Sequence, residues 1–303
     1  MKKIGLLFAI LFLAYGCATG VGYYQPVPDG KYDNHVYLVD TEKMSLEAVK
    51  NSVGIVITKT VFEIVKNKKE SFTQMLKEFG IVTTSFKDGV EKEMEGGGIV
   101  LFGRYFLTAE HVVSHSPLTV NFPFGTVYLP YEKSKEDRYL RLKNGEIAVD
   151  VKMKALYVDH KNDIALFEFP AGIGVRSFPY ALGNSDNLRV GNFTYVVGFP
   201  GGLLVNVREG IVSALSAPEE AASIGTVAKN AFMVSNGLNP GDSGTPILAI
   251  RDGEYELVGL VQGTILENQR LGWAIRINAI RDLLLKDPKV PEDFKKFFKK
   301  GRE

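Results

Sequence analysis

The chain has 303 residues, 45% of them apolar, enough to build a sizeable core in one large domain or two small ones. Its formal net charge is +1, without the concentrated basic face that a nucleic-acid partner requires. A single cysteine excludes both an intrachain disulfide and a cysteine-built zinc site.

Residues 1–20 read MKKIGLLFAILFLAYGCATG. Two lysines precede an apolar run over 4–14 that is too short to span a bilayer comfortably, and small residues follow. This is the order of an export signal. The stretch Leu13-Ala14-Tyr15-Gly16-Cys17 resembles the lipobox of bacterial lipoproteins. The resemblance implies a signal peptide over 1–17, a diacylglyceryl group on the Cys17 thiol and a lipid anchor in a membrane. Ala18, where inner-membrane lipoproteins carry Asp, implies the outer membrane facing the periplasm, or the cell surface.

Residues 18–43 are rich in Tyr, Gly, Pro and Asp and show no sustained period, which predicts a tether. A short helix is expected over 45–51, capped by Ser45, then a buried strand over 53–59. Residues 61–80 predict a helix with Phe62, Val65, Phe72, Leu76 and Phe79 as its apolar stripe, inserted between strands. From Gly96 onward short strands follow one another, bounded by turn residues: 98–102, 105–108, 118–122, 147–158 and 164–169. A second series covers 193–198, 203–215, 232–234, 246–250, 255–264 and 271–277. Glycine is plentiful, at 31 residues. The pattern suggests barrels or a sandwich. A helix is expected over 278–285 with Asn278 as cap. The tail 287–303 alternates phenylalanine and lysine, as a short helix docking its rings or as a contact to an anionic membrane.

Three segments carry chemistry: Phe106-Leu107-Thr108-Ala109-Glu110-His111-Val112-Val113, Asn162-Asp163-Ile164-Ala165-Leu166 and Gly241-Asp242-Ser243-Gly244-Thr245-Pro246. A serine hydroxyl is a poor nucleophile until a base within hydrogen-bond reach takes its proton. Histidine suits, with an ordinary pKa of about 6.5. A buried carboxylate on its other nitrogen holds the productive tautomer. Glycines beside the serine let backbone N–H groups turn toward a developing oxyanion. Each segment alone is weak; in the order His111, Asp163, Ser243 they point together to hydrolysis by a serine nucleophile. His115, four residues after His111, lacks an HExxH pattern, so no metal site is expected. His160 is expected in a turn and His35 in the tether. No cofactor is expected.

These segments resemble the signature regions of chymotrypsin-fold serine proteases, and among them the bacterial HtrA (Deg) branch. Supporting stretches are Gly96-Gly97-Gly98-Ile99-Val100, Val197-Gly198-Phe199-Pro200-Gly201-Gly202, Glu209-Gly210-Ile211-Val212-Ser213-Ala214-Leu215 and Gly272-Trp273-Ala274-Ile275. The resemblance implies an all-β fold of two six-stranded antiparallel barrels, with the helical insertion near the N-terminus and a C-terminal helix. The protease domain would cover 44–286, its first barrel 44–172 and its second 173–286. The implied roles are Ser243 as nucleophile, His111 as base and acid, Asp163 as orienting carboxylate, and the Gly241 and Ser243 N–H groups as oxyanion hole. Gln262, Gly263 and Thr264 would pair with substrate as an added strand. Gly237, Leu238, Asn239 and Thr264 would border the pocket for the residue before the cut. Gly237 stands where trypsin-type enzymes carry an acid, so a small or medium apolar residue is expected there.

The resemblance further implies polypeptide substrates, unfolded or exported, and a possible homo-trimer. HtrA enzymes usually have Asn in place of Asp242 and Gly in place of Thr245, so Asp242 is expected to find its own partner. The stretch after Ile280 is too short for a PDZ domain. The alternative reading is a binding or chaperone-like lipoprotein with the protease fold and little constitutive activity.

Overall fold

The computed structural model describes residues 28–34, 44–80, 86–122, 125–144, 147–170, 172–173, 175–219, 221, 227–265 and 271–300. The leader, Cys17, His35 and most of the expected tether lie outside the described residues.

Helix α1 (Leu46–Lys50) starts where Ser45 accepts a hydrogen bond from the Ala48 N–H, as its sequence predicts. Strand β1 (Val53–Ile64) follows and is longer than expected. It runs on through Val61–Ile64 because both its edges are paired, to β2 (Gly89–Leu101) and to β6 (Tyr131–Asn144). The inserted helix α2 (Lys66–Glu78) therefore begins at 66 rather than 61. Phe62 is buried on the strand, and only Phe72 and Leu76 are buried on the helix. Two-sided pairing has outweighed the local helical pattern.

Strands β3 (Tyr105–Thr108), β7 (Ile147–Lys152), β8 (Lys154–Asp159) and β9 (Ile164–Glu168) complete the first sheet, ordered β7-β6-β1-β2-β3-β9-β8. A hairpin of β4 (Thr119–Phe122) and β5 (Gly125–Tyr128) stands apart. Met153 alone separates β7 from β8, and its N–H still donates to the Arg138 carbonyl at 3.0 Å. Read as one bent strand, they return the sheet to its start as a six-stranded barrel.

The second sheet uses β10 (Ala181–Leu182), β11 (Phe193–Gly198), β12 (Asn206–Ala214), β13 (Ala231–Val234), β14 (Pro246–Arg251), β15 (Glu254–Thr264) and β16 (Gly272–Arg276). Its order is β10-β15-β14-β11-β12-β13-β16, and a further β15–β16 pairing closes six of these into a ring. The ring is antiparallel throughout. The two-residue β10 adds to β15 in parallel, an exception to the expected all-antiparallel arrangement.

One hydrophobic cluster spans the two barrels, and each barrel holds a further cluster of its own. Ile57, Ile99, Leu107 and Leu166 of the first pack with Val197, Phe199, Leu248 and Leu257 of the second. Helix α3 (Ile277–Lys286) contributes Ile280 and Leu284, and α4 (Glu292–Lys300) contributes Phe294 and Phe298. The cap position of α3 is Arg276. Asn278, expected there, sits inside the helix and donates its amide to Asn184 and Asp186. Phe294 and Phe298 lie four residues apart on one helix face and are fully buried. Phe294 tilts onto Tyr105, ring centroids 4.6 Å apart, while the Tyr105 hydroxyl donates to Asp293. The tail thus docks its rings on the first barrel, at about 1.5–3 kcal/mol for each fully buried side chain.

Residues 28–34, within the segment expected as tether, lie against the second barrel. Tyr32 is buried and pairs with Arg251 of β14 in an isolated bridge. Its hydroxyl donates to Glu256 at 2.8 Å and accepts the Asn184 N–H at 2.8 Å.

Candidate active site

β3 ends at Thr108, and the chain turns through a short 3-10 segment, Glu110–Val112, that presents His111. In the same sheet β3 pairs with β9, Thr108 facing Ala165. The turn that opens β9 is thereby brought beside the histidine. Asp159 builds that turn. Its carboxylate accepts the Lys161 and Asn162 N–H groups and the Asn162 amide, and the Tyr157 hydroxyl donates to it. Asp163 follows with φ of +54°, a left-handed backbone that aims its side chain inward.

Asp163 is buried, and its carboxylate meets His111 twice. The His111 N–H donates to Oδ1 at 2.8 Å, and ring Nδ1 lies 2.9 Å from Oδ2 and 3.0 Å from Oδ1. Burial disfavours the imidazolium, but the hydrogen bond and charge of Asp163, with the nearby Glu110 carboxylate, outweigh it. The His111 pKa therefore lies above its ordinary value. Glu110 is itself buried and lies 2.6 Å from Nδ1 of His160, on the β8–β9 turn as expected.

Ser243 lies on the turn that feeds β14. The Gly97 N–H donates to its carbonyl at 2.8 Å, which ties the turn to β2 of the first barrel. Gly241 and Gly244 have φ of +97° and +84°. Close approach also excludes a side chain at both. A Cβ on Gly241 would stand 2.4 Å from the Phe199 carbonyl, and one on Gly244 would stand 2.3 Å from the Gly97 carbonyl. Among the described residues, the N–H groups of Gly241 and Ser243 donate to no protein acceptor. Both remain available to an incoming oxygen. No hydrogen bond joins the Ser243 hydroxyl to His111 among the described residues. Catalytic contacts of this kind are often long before substrate binds.

The partner of Asp242 is Arg208 of β12. Two guanidinium nitrogens grip the fully buried Asp242 carboxylate at 2.6 and 2.7 Å. Nη1 of Arg208 also donates to the Gly237 carbonyl at 2.9 Å, and the Asn239 N–H donates to Asp242 at 2.8 Å. Residues 237–242 are thereby held from below. Sequence reasoning left Asp242 in search of a partner and missed Arg208, whose strand pattern carries no mark of this role. The Thr245 hydroxyl donates to the Asp242 carbonyl at 2.6 Å and tightens the same turn.

The expected substrate-binding residues divide by placement. Asn239 is exposed, and Gly237, Gly263 and Thr264 are half-buried near the nucleophile turn. Leu238 is sunk into the core of the second barrel, possible because Gly272 opposite has no side chain; a Cβ there would meet Leu238 at 2.4 Å. The Gln262 side chain is also buried, and its amide donates to the Asn162 carbonyl at 2.8 Å, next to Asp163. Gln262 thus braces the Asp163 turn from the other barrel, a tie not foreseen from the strand pattern. Among the described residues, no three His, Cys, Asp or Glu side chains gather as around a metal ion. His115 takes Thr60 as partner, its Nδ1 2.8 Å from that hydroxyl.

Two closed antiparallel barrels, with a His–Asp pair on one and a glycine-flanked serine on the other, define the class to which the family comparison also leads. The profile of the trypsin-like peptidase domain matches residues 96–260, more than half of the chain. The chain belongs to this family. It is 31% identical over 140 residues to the putative serine protease HhoA of Synechocystis sp., covering 45% of this chain and 34% of that protein. It is 24% identical over 297 residues to a probable periplasmic serine endoprotease, DegP-like, of Buchnera aphidicola, covering 93% of this chain and 57% of that protein. The chain thus spans from about a third to just over half of these relatives' lengths. Among solved structures, the HtrA-type protease AlgW with tripeptide aligns with TM-score 0.52 at 16% identity, over 79% of this chain and 60% of that one. The active form of the Rv3671c protease from M. tuberculosis aligns with TM-score 0.51 at 17% identity, over 86% and 90%. At these identities the structural likeness concerns the fold.

Proposed function

We propose that the chain is a serine endopeptidase that cuts polypeptides through Ser243, His111 and Asp163. The observation that carries this reading is the buried Asp163 carboxylate on Nδ1 of His111, in a fold whose facing turn holds Ser243. Asp163 keeps the Nδ1 proton in place, so Nε2 is the basic nitrogen. Nε2 takes the proton of the Ser243 hydroxyl as Oγ attacks the peptide carbonyl. The carbonyl oxygen becomes an oxyanion and is met by the Gly241 and Ser243 N–H groups. His111 then gives its proton to the departing amine, and water, deprotonated by His111, releases the acyl group from Ser243. Labelling by a fluorophosphonate tests the reading. The wild-type chain should be labelled on Ser243, and Ser243→Ala should not. Absence of labelling with polypeptide substrate present would refute it.

One observation favours a second reading, a protease-fold binding protein with little constitutive activity: the Ser243 hydroxyl is not hydrogen-bonded to His111 in this state. Labelling that appears only when a polypeptide is added would mark a site assembled by its substrate.

The envelope is the proposed location, supported by the export signal and by the word periplasmic in the names of relatives. Lipidation at Cys17 and a role in envelope protein quality control belong to the same proposal. The mass of the mature N-terminal peptide tests the lipid directly.

A further inference from the structure

Beside the nucleophile turn lies a cleft of about 300 Å³ that the pocket residues described above do not line, apart from Gly241 of the oxyanion hole. One wall is Glu95–Gly96 of β2, the other is the Phe199–Gly202 segment with Pro240 and Gly241, and Ile55 supplies apolar surface. The acyl part of a substrate is placed along Gln262–Thr264. The cleft shares no residue with that strand and reaches Gly241, so on the reading of Ser243 as nucleophile it receives the amine part of the cut bond.

Among the described residues, Glu95 is the only ionisable group in the cleft wall. Its Oε1 lies 3.3 Å from Nη1 of Arg141, whose other two nitrogens are engaged by Asp150 at 2.8 and 2.9 Å. One guanidinium thus faces two carboxylates, and one negative charge is left over. Among the described residues, Glu95 Oε2 accepts no hydrogen bond. It stands 3.5 Å from where a Cβ on Gly202 would be, so it faces the Gly202 end of the cleft. Glu93, nearby on β2, is already paired with Lys59 at 3.3 Å. Just past Gly202, Leu203 and Leu204 are 69% and 75% exposed, an apolar surface beside the carboxylate.

An apolar slot ending at a carboxylate that Arg141, shared with Asp150, offsets only in part fits a side chain with an aliphatic stem and a cationic head. We infer that this cleft is a specificity subsite for Lys or Arg at one of the two substrate positions that follow the cut bond, with Glu95 as the selecting residue. The inference rests on the reading of Ser243 as nucleophile.

The test uses the full-length protein and peptides that differ only at those two positions, carrying Lys, Arg, Met or Glu. Lys and Arg peptides should be cut with kcat/KM about two- to fivefold above the Met peptide, as expected for a partly exposed ion pair, and further above the Glu peptide. Glu95→Gln should bring the Lys and Arg peptides down to the rate of the Met peptide. Equal rates for all four peptides would overturn the subsite and leave the endopeptidase intact. Should no peptide be cut, the endopeptidase reading fails and binding decides the subsite. Lys-led amine-side fragments should then bind Ser243→Ala more tightly than Met-led ones, and the Glu95→Gln change should remove the difference. Indifference to the change would overturn the subsite on that ground too.

Discussion

The two barrels build their halves of the site by different means. In the first, His111 and Asp163 come from turns at the ends of neighbouring strands. Strand pairing brings them together, the Asp159 turn and Gln262 brace the Asp163 side, and three contacts of 2.8 to 3.0 Å join them. In the second, Ser243 stands on a turn of glycine-dependent backbone whose shape is kept by a buried ion pair to a distant strand. The first half is set by sheet register. The second leans on the Arg208–Asp242 ion pair together with shorter ties such as Gly97 to the Ser243 carbonyl, and its hydroxyl makes no hydrogen bond to His111 among the described residues. The proposed oxyanion hole should therefore be the more fragile half.

The sharpest division between chemistry and scaffold comes from the proposed nucleophile and acid. Ser243→Ala should abolish turnover with little change in thermal stability. Asp163→Asn should lower kcat by about 10⁴, because an amide on Nδ1 favours the wrong tautomer. Steady-state kinetics on a peptide substrate check both. An Asp163→Asn enzyme with near-normal kcat would mean that the His–Asp contact is structural only.

Arg208→Met probes the other half. It leaves the Asp242 carboxylate buried without its cation, and breaking such a pair costs about 3–5 kcal/mol. The variant should melt at clearly lower temperature. Below its melting point it should lose kcat more than it gains KM, because the Gly241 and Ser243 N–H groups are no longer held. The double variant Arg208→Met with Asp242→Asn separates the two effects. It removes the stranded charge, so stability should partly return, whereas full recovery of kcat would show that Arg208 does not shape the oxyanion hole.

How far the sequence foretold this arrangement depends on the range of the forces involved. β3, β9, β11 and β14 are short apolar runs between turn residues, and they fold where their pattern places them. β6, reading YEKSKEDRYLRLKN, shows no such pattern and was not anticipated as a strand. It becomes one because β1 and β7 supply hydrogen-bonding edges on both sides. The same two-sided pairing moved the start of α2 from 61 to 66. At the candidate site, the His111–Asp163 contact was legible because both residues lie in local motifs with a chemical reason. Arg208, Gln262 and Tyr32 were not. Each acts on a partner tens to hundreds of residues away, such as Gln262 on Asn162 and Tyr32 on Glu256, and no local spacing encodes those pairings.

Tyr32 gives a smaller effect that bears on scaffold alone. Burial, then the Glu256 carboxylate, raises its pKa far above the ordinary tyrosine value, so it remains a neutral donor. Tyr32→Phe takes a donor from Glu256 and the acceptor from the Asn184 N–H, and should cost about 1–3 kcal/mol. The Arg251 guanidinium still pairs with Glu256, so the stranded Asn184 N–H carries most of the loss. Chemical denaturation checks the stability loss, and peptide cleavage should be unchanged. A fall in kcat would tie the N-terminal segment to the site.

The gentlest probe is pH, and it reads the first half alone. His111 must be neutral at Nε2 to accept the serine proton. Burial pulls its pKa down, but Asp163 and Glu110 together push it above the ordinary value. The acid limb of kcat/KM should therefore rise at higher pH than the 6.5 of a free histidine. The same pair sets a stability window of matching sign. A folded-state pKa above the unfolded one contributes stability that is fully present below about pH 6.5 and is lost as pH rises through the folded value. Asp163→Asn removes the negative partner, so the acid limb should move down and the acid-side stabilisation should disappear with it. The limb is read from the residual activity of the variant and the stabilisation from melting curves at several pH values. A limb that stays in place after Asp163→Asn would assign the raised pKa to Glu110 instead of the triad acid, and Glu110→Gln would then have to move it.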